Sequence, residues 1–386
     1  MIQKLVAAAT VTLTLLGTPG LAQDKPVLKI GVSTRLSGPS AVIGDSDRKS
    51  ITMAVDELNA AGGVAGHRLE AVYGDNKGVP SEAVAVARRL ADVDGVLAIV
   101  DSAGSSGTLA AMPVVKQLGV VNLAKTSTNP RIYAMAGAGG NEWAFRMNVD
   151  DTMIAQAYAA FIAQSAQSVA ILAYNDDFGR GAAAAYQPIL DRLKVKVTGT
   201  DFFARGLADY RPLLTRMRQG SPDGVLYVGT ATDAAVFARQ LREVGWKPQV
   251  FCRGDIASPE FLRSIKDDPS MAEGWTDATL WAPSVDEAFV QRYQARWGTA
   301  AVSHGAVGYH AVKEVLAAAI ERAAADAKTV TRQSLREALT KISVRTPIGP
   351  IKFDDHNQAY PHVFIVQIQK GDPKVLREIA PTPPAP

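Results

Sequence analysis

One cysteine, Cys252, in a chain of 386 residues leaves no partner for an intrachain disulfide, so the fold must rest on a hydrophobic core, which a chain of this length can bury. Histidine is also scarce. His304 and His310 lie six apart, on different faces of any helix, and His356 and His362 flank a proline-containing turn; with no H-E-x-x-H and no cysteine pair, no metal or cofactor is expected. Charge of one sign is lacking too: 41 Lys and Arg against 38 Asp and Glu give a net +3, and no basic run interleaved with aromatics is present, which argues against a nucleic-acid groove. Beyond the first residues no apolar run is long enough to span a bilayer. No low-complexity segment divides the chain apart from PTPPAP at the end, expected to be disordered.

The N-terminus reads as a targeting segment. Met1 to Lys4 is short and basic, Leu5 to Leu16 is apolar, and GTPGLAQ supplies small residues at Gly20 and Ala22, so cleavage is expected after Ala22 and residues 1–22 are a signal peptide. The mature protein is expected to be exported.

From Val27 short apolar runs alternate with segments of helical period. VLKIGVS reads as a strand, TRLSGPSAVIGD as a loop, and Ser46 to Ala60 as a helix ending at AGG; HRLEAVYGD, GVLAIVD and VVNLAKT are further strands, and Pro80 to Asp92 is a helix opened by proline. The rhythm then restarts with helix Thr152 to Ala163, strand SVAILAY, helix Arg180 to Leu193, strand KVTGTDFF, helix Tyr210 to Gln219, strand GVLYVG, helix Asp233 to Val244 and strand QVFCRGD. Alternation of this kind means parallel strands with right-handed crossovers, hence two doubly wound α/β lobes. Two later helices, the second from Ala306 to Ala325, and the strand HVFIVQIQ are left over, which implies that the chain crosses back between lobes. The expected boundaries are 27–146 with 282–360 for the first lobe, 147–281 with 361–372 for the second, and a tail over 373–386.

Leu97 to Leu109, LAIVDSAGSSGTL, runs from a strand through small residues into a helix start, where free amides and the helix dipole suit an anion; a Ser-capped turn with no ligand is the competing account. Asp255 ends QVFCRGD at the carboxyl edge of the strands, where open α/β sheets bind ligands, although it could equally cap the following helix or pair with Arg253. If the lobes face one another, Ser105, Lys125, Thr126, Ser127 and Thr128 stand opposite this acid, an arrangement suited to a zwitterion. Enzyme signals are weak. Gly179 to Ala184 spells G-x-G-x-x-A, but YNDDF separates it from its strand, so a flexible turn with a Gly-started helix is the better account; Gly104 to Gly107 is not G-x-S-x-G, and no His or acid is placed to activate either serine. Asp176-Asp177 and Asp354-Asp355 read as solvated loop tips.

KIGVSTRLSGPSAVIGD, DELNAAGGVAGHRLEAVYGDNKGVPSEAVAVARRL, the turn at 103–108, TST at 126–128, YNDDFGRG and IGPIKFDDHNQ, in that order from about Val27 to Gln369, resemble the periplasmic Leu/Ile/Val-binding protein family, the type I solute-binding proteins of ABC importers. The resemblance implies two lobes joined by three crossovers, a small solute in the cleft between them, closure on binding, a monomeric periplasmic protein read by a membrane permease, and no enzymatic activity. Carried over by position, it implies that Ser105, with Ser106 beside it, and Thr126, Ser127 and Thr128 hold the carboxylate of an amino acid or related zwitterion. Asp255 would take its ammonium and Phe178 cover it, while Ile43 and Ala231, where aromatics are common in the family, shape the side-chain pocket. The same fold could bind an amide or an aromatic or aliphatic acid, or serve as a ligand-sensing receptor.

Overall fold

The structure, a computed structural model, describes residues 25–382; the expected signal peptide and the last four residues of the expected disordered tail lie outside them. Five parallel strands, β1 (Val27–Thr34), β2 (Arg68–Asp75), β3 (Ala98–Asp101), β4 (Val121–Ala124) and β5 (Ala144–Arg146), form a sheet of order β2-β1-β3-β4-β5. Between them run α1 (Ala41–Ala60), α2 (Pro80–Asp92), α3 (Gly104–Leu118) and the short α4 (Pro130–Met135). The second sheet contains β6 (Ser168–Tyr174), β7 (Lys196–Phe203), β8 (Gly224–Val228), β9 (Gln249–Arg253) and β10 (Thr276–Thr279), all parallel. Its helices are α5 (Asp151–Ile162), α6 (Asp177–Arg192), α7 (Arg211–Gln219), α8 (Ala231–Glu243) and α9 (Pro259–Ser264).

The chain then returns to the first sheet with α10 (Glu287–Trp297), α11 (Ser303–His310), a π-helical stretch over Ala311–Leu316, α12 (Ala317–Ala327), α13 (Arg332–Leu339) and the hairpin of β11 (Val344–Thr346) and β12 (Gly349–Ile351). A last crossing delivers β13 (Val363–Gln369), antiparallel to β10, and β14 (Asp372–Ile379) at the edge of the second sheet. Each sheet carries apolar side chains on both faces. Ile30, Val32, Val307 and Val312 pack on one side of the first, and Leu90, Ile99 and Val115 on the other; the second buries Ile154, Ile171 and Tyr186 on one face and Leu172, Phe237 and Phe261 on the other. The fold is therefore two doubly wound α/β units linked by three chain crossings, with Cys252 a buried free thiol in β9.

Several expectations are corrected. The loop after β1 is shorter, because α1 begins at Ala41 and so includes Ile43. Likewise α6 begins at Asp177, with the Asp176 carboxylate accepting the Gly179 N–H at 3.0 Å, so Asp176 is a helix cap and not a solvated tip. Asp354 is no solvated tip either: it accepts the N–H groups of His356 and Gln358, each at 2.9 Å, and shapes the third crossing. Residues 373–379, expected as tail, complete an edge strand.

Candidate functional site

β3 runs into α3 through a turn held from below. The Asp101 carboxylate, buried at the strand end, accepts the Ala103 N–H at 2.8 Å, the Thr108 hydroxyl at 2.6 Å and the Asn122 amide at 3.1 Å. This fixes Ser105 in the first turn of α3, beside Gly104, whose φ of +78° is the left-handed region open to glycine. After β4, Thr108 and Ser127 share a hydrogen bond of 2.8 Å, and the Asn129 N–H donates to Ser105 Oγ at 3.3 Å, so two βα turns form one polar wall.

Behind that wall sits a buried ion pair. Lys125 Nζ lies 2.9 Å from Asp47 and 2.9 Å from the carbonyl of His304, with both charged side chains at 0% exposure, and the Thr34 hydroxyl donates to Asp47 at 2.7 Å. β1, α1, β4 and α11 are thereby pinned at one point, which positions Thr126 on one side and Ser303 and His304 on the other. Burial, then Lys125, push His304 down to about 3, so its imidazole is neutral at physiological pH.

The opposite wall comes from the second sheet. Asp277 in β10 accepts the N–H groups of Gly254 at 3.2 Å and Ile256 at 2.8 Å, which draws the chain after β9 into a turn that places Asp255 at φ +64°. A left-handed aspartate is costly and here points its carboxylate into the cleft. Thr279 donates to it at 3.3 Å and Ser303, from the first unit, at 2.5 Å. Burial raises the Asp255 carboxyl above its ordinary range against the pull of these two hydroxyls. Other contacts also join the units: the Asp177 N–H donates to Ser106 Oγ at 3.3 Å, the Asn129 amide donates to the Asp177 carbonyl, and Arg131 lies 3.5 Å from Asp177.

Between these walls lies a cavity of about 90 Å³, the size for a small solute. Ser105, Thr126, Ser127, Ile43, Phe178, Ala231 and Asp255 all line it. Ser106 and Thr128 do not. Ser106 lines the adjoining cavity and its hydroxyl receives the Asp177 N–H, while Thr128, 1% exposed, turns inward and donates to Asp151 at 3.0 Å. Burial lifts Asp151 to about 7, and its nearest cation is Arg253 at 3.5 Å. Sequence reading missed Arg35, Arg205, Arg253, Glu260, Ser303 and His304 in the lining. Only Arg253 and Glu260 lie close to Asp255 in sequence, two before it and five after it; Arg35, Arg205, Ser303 and His304 are brought in by distant segments.

No described helix is long and apolar enough to cross a membrane, and no described group of three or more His, Cys, Asp or Glu could hold a metal. Residues 27–373 match the family model for periplasmic binding proteins. An amino acid binding protein of Pseudomonas aeruginosa is 31% identical over 64% of this chain and 65% of its own length, just under two thirds. A leucine-, isoleucine-, valine-, threonine- and alanine-binding protein of the same organism is 27% identical over 85% of this chain and 86% of its own. Among solved structures, the solute binding protein of an ABC transporter from Rhodopseudomonas palustris BisB5, in complex with 3,4-dihydroxybenzoic acid, superposes with a TM-score of 0.82 at 19% identity, covering 92% of this chain and 98% of that one. The match over nearly the whole described chain and the two-unit architecture agree: this chain belongs to the periplasmic binding protein family.

Proposed function

We propose that this protein is the exported, monomeric solute-binding component of an ABC importer and that it holds an α-amino acid, or a related small zwitterion, between its two units. The observation that carries this reading is the cavity itself, with the hydroxyls of Ser105 and Thr126 and the first amides of α3 on one wall and the Asp255 carboxylate on the other. The solute's carboxylate sits against the first wall, where unpaired amides favour negative charge. Its ammonium sits at Asp255, displacing one of the two hydroxyl donors. Phe178 covers the solute, and Ile43 and Ala231 meet its side chain. The lobes are taken as 27–146 with 282–360 and 147–281 with 361–379, the edge strand extending the second, and their closed arrangement is what a permease reads. The amino-acid specificities of the two Pseudomonas relatives support the solute class.

A second solute class is favoured by the apolar part of the lining: Ile43, Phe178, Leu280 and Val302 would accommodate an aromatic acid. A thermal-shift screen over amino acids, their amides and aromatic acids decides, because a solute that binds only the folded chain raises its apparent stability. Amino acids are expected to give the largest shifts. A screen in which no carboxylate-bearing solute raises Tm refutes the reading.

A further inference from the structure

Arg35 follows β1 directly and is 6% exposed, yet among the described residues its guanidinium makes no hydrogen bond and no ion pair; the carboxylates whose charge reaches it, Asp47 and Asp101, are engaged by Lys125 and by Ala103, Thr108 and Asn122. The other deeply buried cations have carboxylates: Lys125 has Asp47, Arg146 has Asp150 and Arg253 has Asp151. A buried charge with no carboxylate of its own in contact is costly, so its place calls for an explanation.

That place is built. The stem of Arg35 passes over Gly78, and Nη2 lies against Gly104 at the start of α3, where a Cβ would stand only 2.3 Å from it. The guanidinium thus abuts Ser105 on the wall assigned to the solute's acid group. Arg205, from the chain after β7 in the second unit, comes to the same spot from across the cleft. One carboxylate and a ring hold it: its Nη2 and Nε lie 2.6 and 2.8 Å from Asp176 Oδ2, and its guanidinium lies 4.0 Å from the centroid of Tyr174. Arg35, Gly104, Ser105 and Arg205 line both the cavity between the walls and its neighbour, and so form the boundary between the two. Two like charges from opposite units therefore converge at the cleft, one of them without an ion pair, and their repulsion opposes closure.

We propose that Arg35 and Arg205 form a carboxylate clamp across the cleft, with the solute's acid group seated at Ser105 between the two guanidiniums, so that closure requires an anion. This rests on the solute-binding reading above and narrows it. The acid group is obligatory and the amino group secondary, so solutes with an amide in place of the acid group are excluded whatever their shape. Arginine suits the task, because its planar fork engages both oxygens of a carboxylate. Arg35 carries the larger share, since Arg205 is already partnered by Asp176.

The test is calorimetric titration of the full mature chain with matched pairs: L-leucine and L-leucinamide, L-phenylalanine and L-phenylalaninamide, benzoate and benzamide. Wild type is expected to bind at least one acid and not its amide. Arg35→Gln should weaken that acid at least about thirtyfold, and Arg205→Gln should weaken it less. Arg35→Lys should recover part of the loss by keeping the charge. Without solute, Arg35→Gln should melt at or above the wild-type temperature, because no partner is lost; that measurement separates a clamp from a structural arginine. Acid binding by Arg35→Gln within about threefold of wild type, or an amide bound as tightly as its acid, overturns the clamp. Ser105→Ala distinguishes the two readings: if it loses the acid while Arg35→Gln keeps it, solute binding in the cleft stands and the clamp falls. If wild type binds none of the three acids, both fall.

Discussion

Replacing Asp255 by asparagine removes one charge at nearly constant shape, and the amide oxygen can still accept from Ser303 or Thr279. An ammonium about 4 Å from a carboxylate gains about 4 kcal/mol at an effective dielectric constant near 20. The Asp255 side chain keeps 17% of its exposure, so partial hydration reduces this to about 2–3 kcal/mol, or roughly a 30- to 150-fold loss of affinity. Titration calorimetry with L-leucine and with 4-methylpentanoate, the same skeleton without its amino group, isolates the term. Asp255→Asn should weaken leucine by that factor and leave 4-methylpentanoate equal or tighter, since an anion leaves the cleft. The unliganded variant should be no less stable, because burial already disfavours the charged form of Asp255. Equal losses for the two solutes, or none for leucine, would refute the assignment of the ammonium to Asp255.

Other outcomes follow from the same geometry. Ser105→Ala, losing a hydroxyl at the carboxylate wall, should cost every acid about 1.5–3 kcal/mol, read by calorimetry. Thr128→Ala should leave affinities unchanged but lower stability by about 1–3 kcal/mol in urea titration, because Asp151 loses its hydroxyl donor. Lys125→Met strands Asp47 at 0% exposure and should cost about 3–5 kcal/mol, with Lys125→Met/Asp47→Asn recovering part of it. His310 is 1% exposed; burial alone would lower its pKa, but Asp286 at 3.4 Å and Glu314 at 3.1 Å outweigh it and raise the net value. A raised folded pKa stabilises fully below the unfolded value of about 6.5 and loses that contribution as pH rises through the folded value. The melting-temperature gap between wild type and His310→Gln should therefore be widest near pH 6 and shrink toward pH 9.

The repeating α/β rhythm was legible because its signals are local. α2 falls on Pro80–Asp92 as expected, with proline at its first position and Val86 and Leu90 facing inward one turn apart. α1 was read five residues short because Ser40 supplies no side-chain cap and Val42 is exposed, so nothing in the sequence marks the start. β10, Thr276–Thr279, is fully buried yet polar, and its place follows from pairing with β9 and β13 and not from its own pattern. In the site, residues at strand ends could be found by position, as with Ser105 and Asp255. Thr128 could not be told from Thr126, since only the fold puts Asp151 beside one and the cavity beside the other. Arg35 was invisible for the opposite reason: an arginine after a strand reads as a solvated charge until Gly78 and Gly104, from two other strand ends, make room for it.

Whether one amino acid sits between the Ser105 wall and Asp255 is tested most directly by a crystal structure of the protein with its tightest-binding amino acid. The solute's carboxylate is expected within hydrogen-bond distance of Ser105 Oγ and its ammonium on Asp255, with Ser303 displaced or sharing the Asp255 carboxylate. A solute seated with its ends reversed, or outside this cavity, would contradict that arrangement.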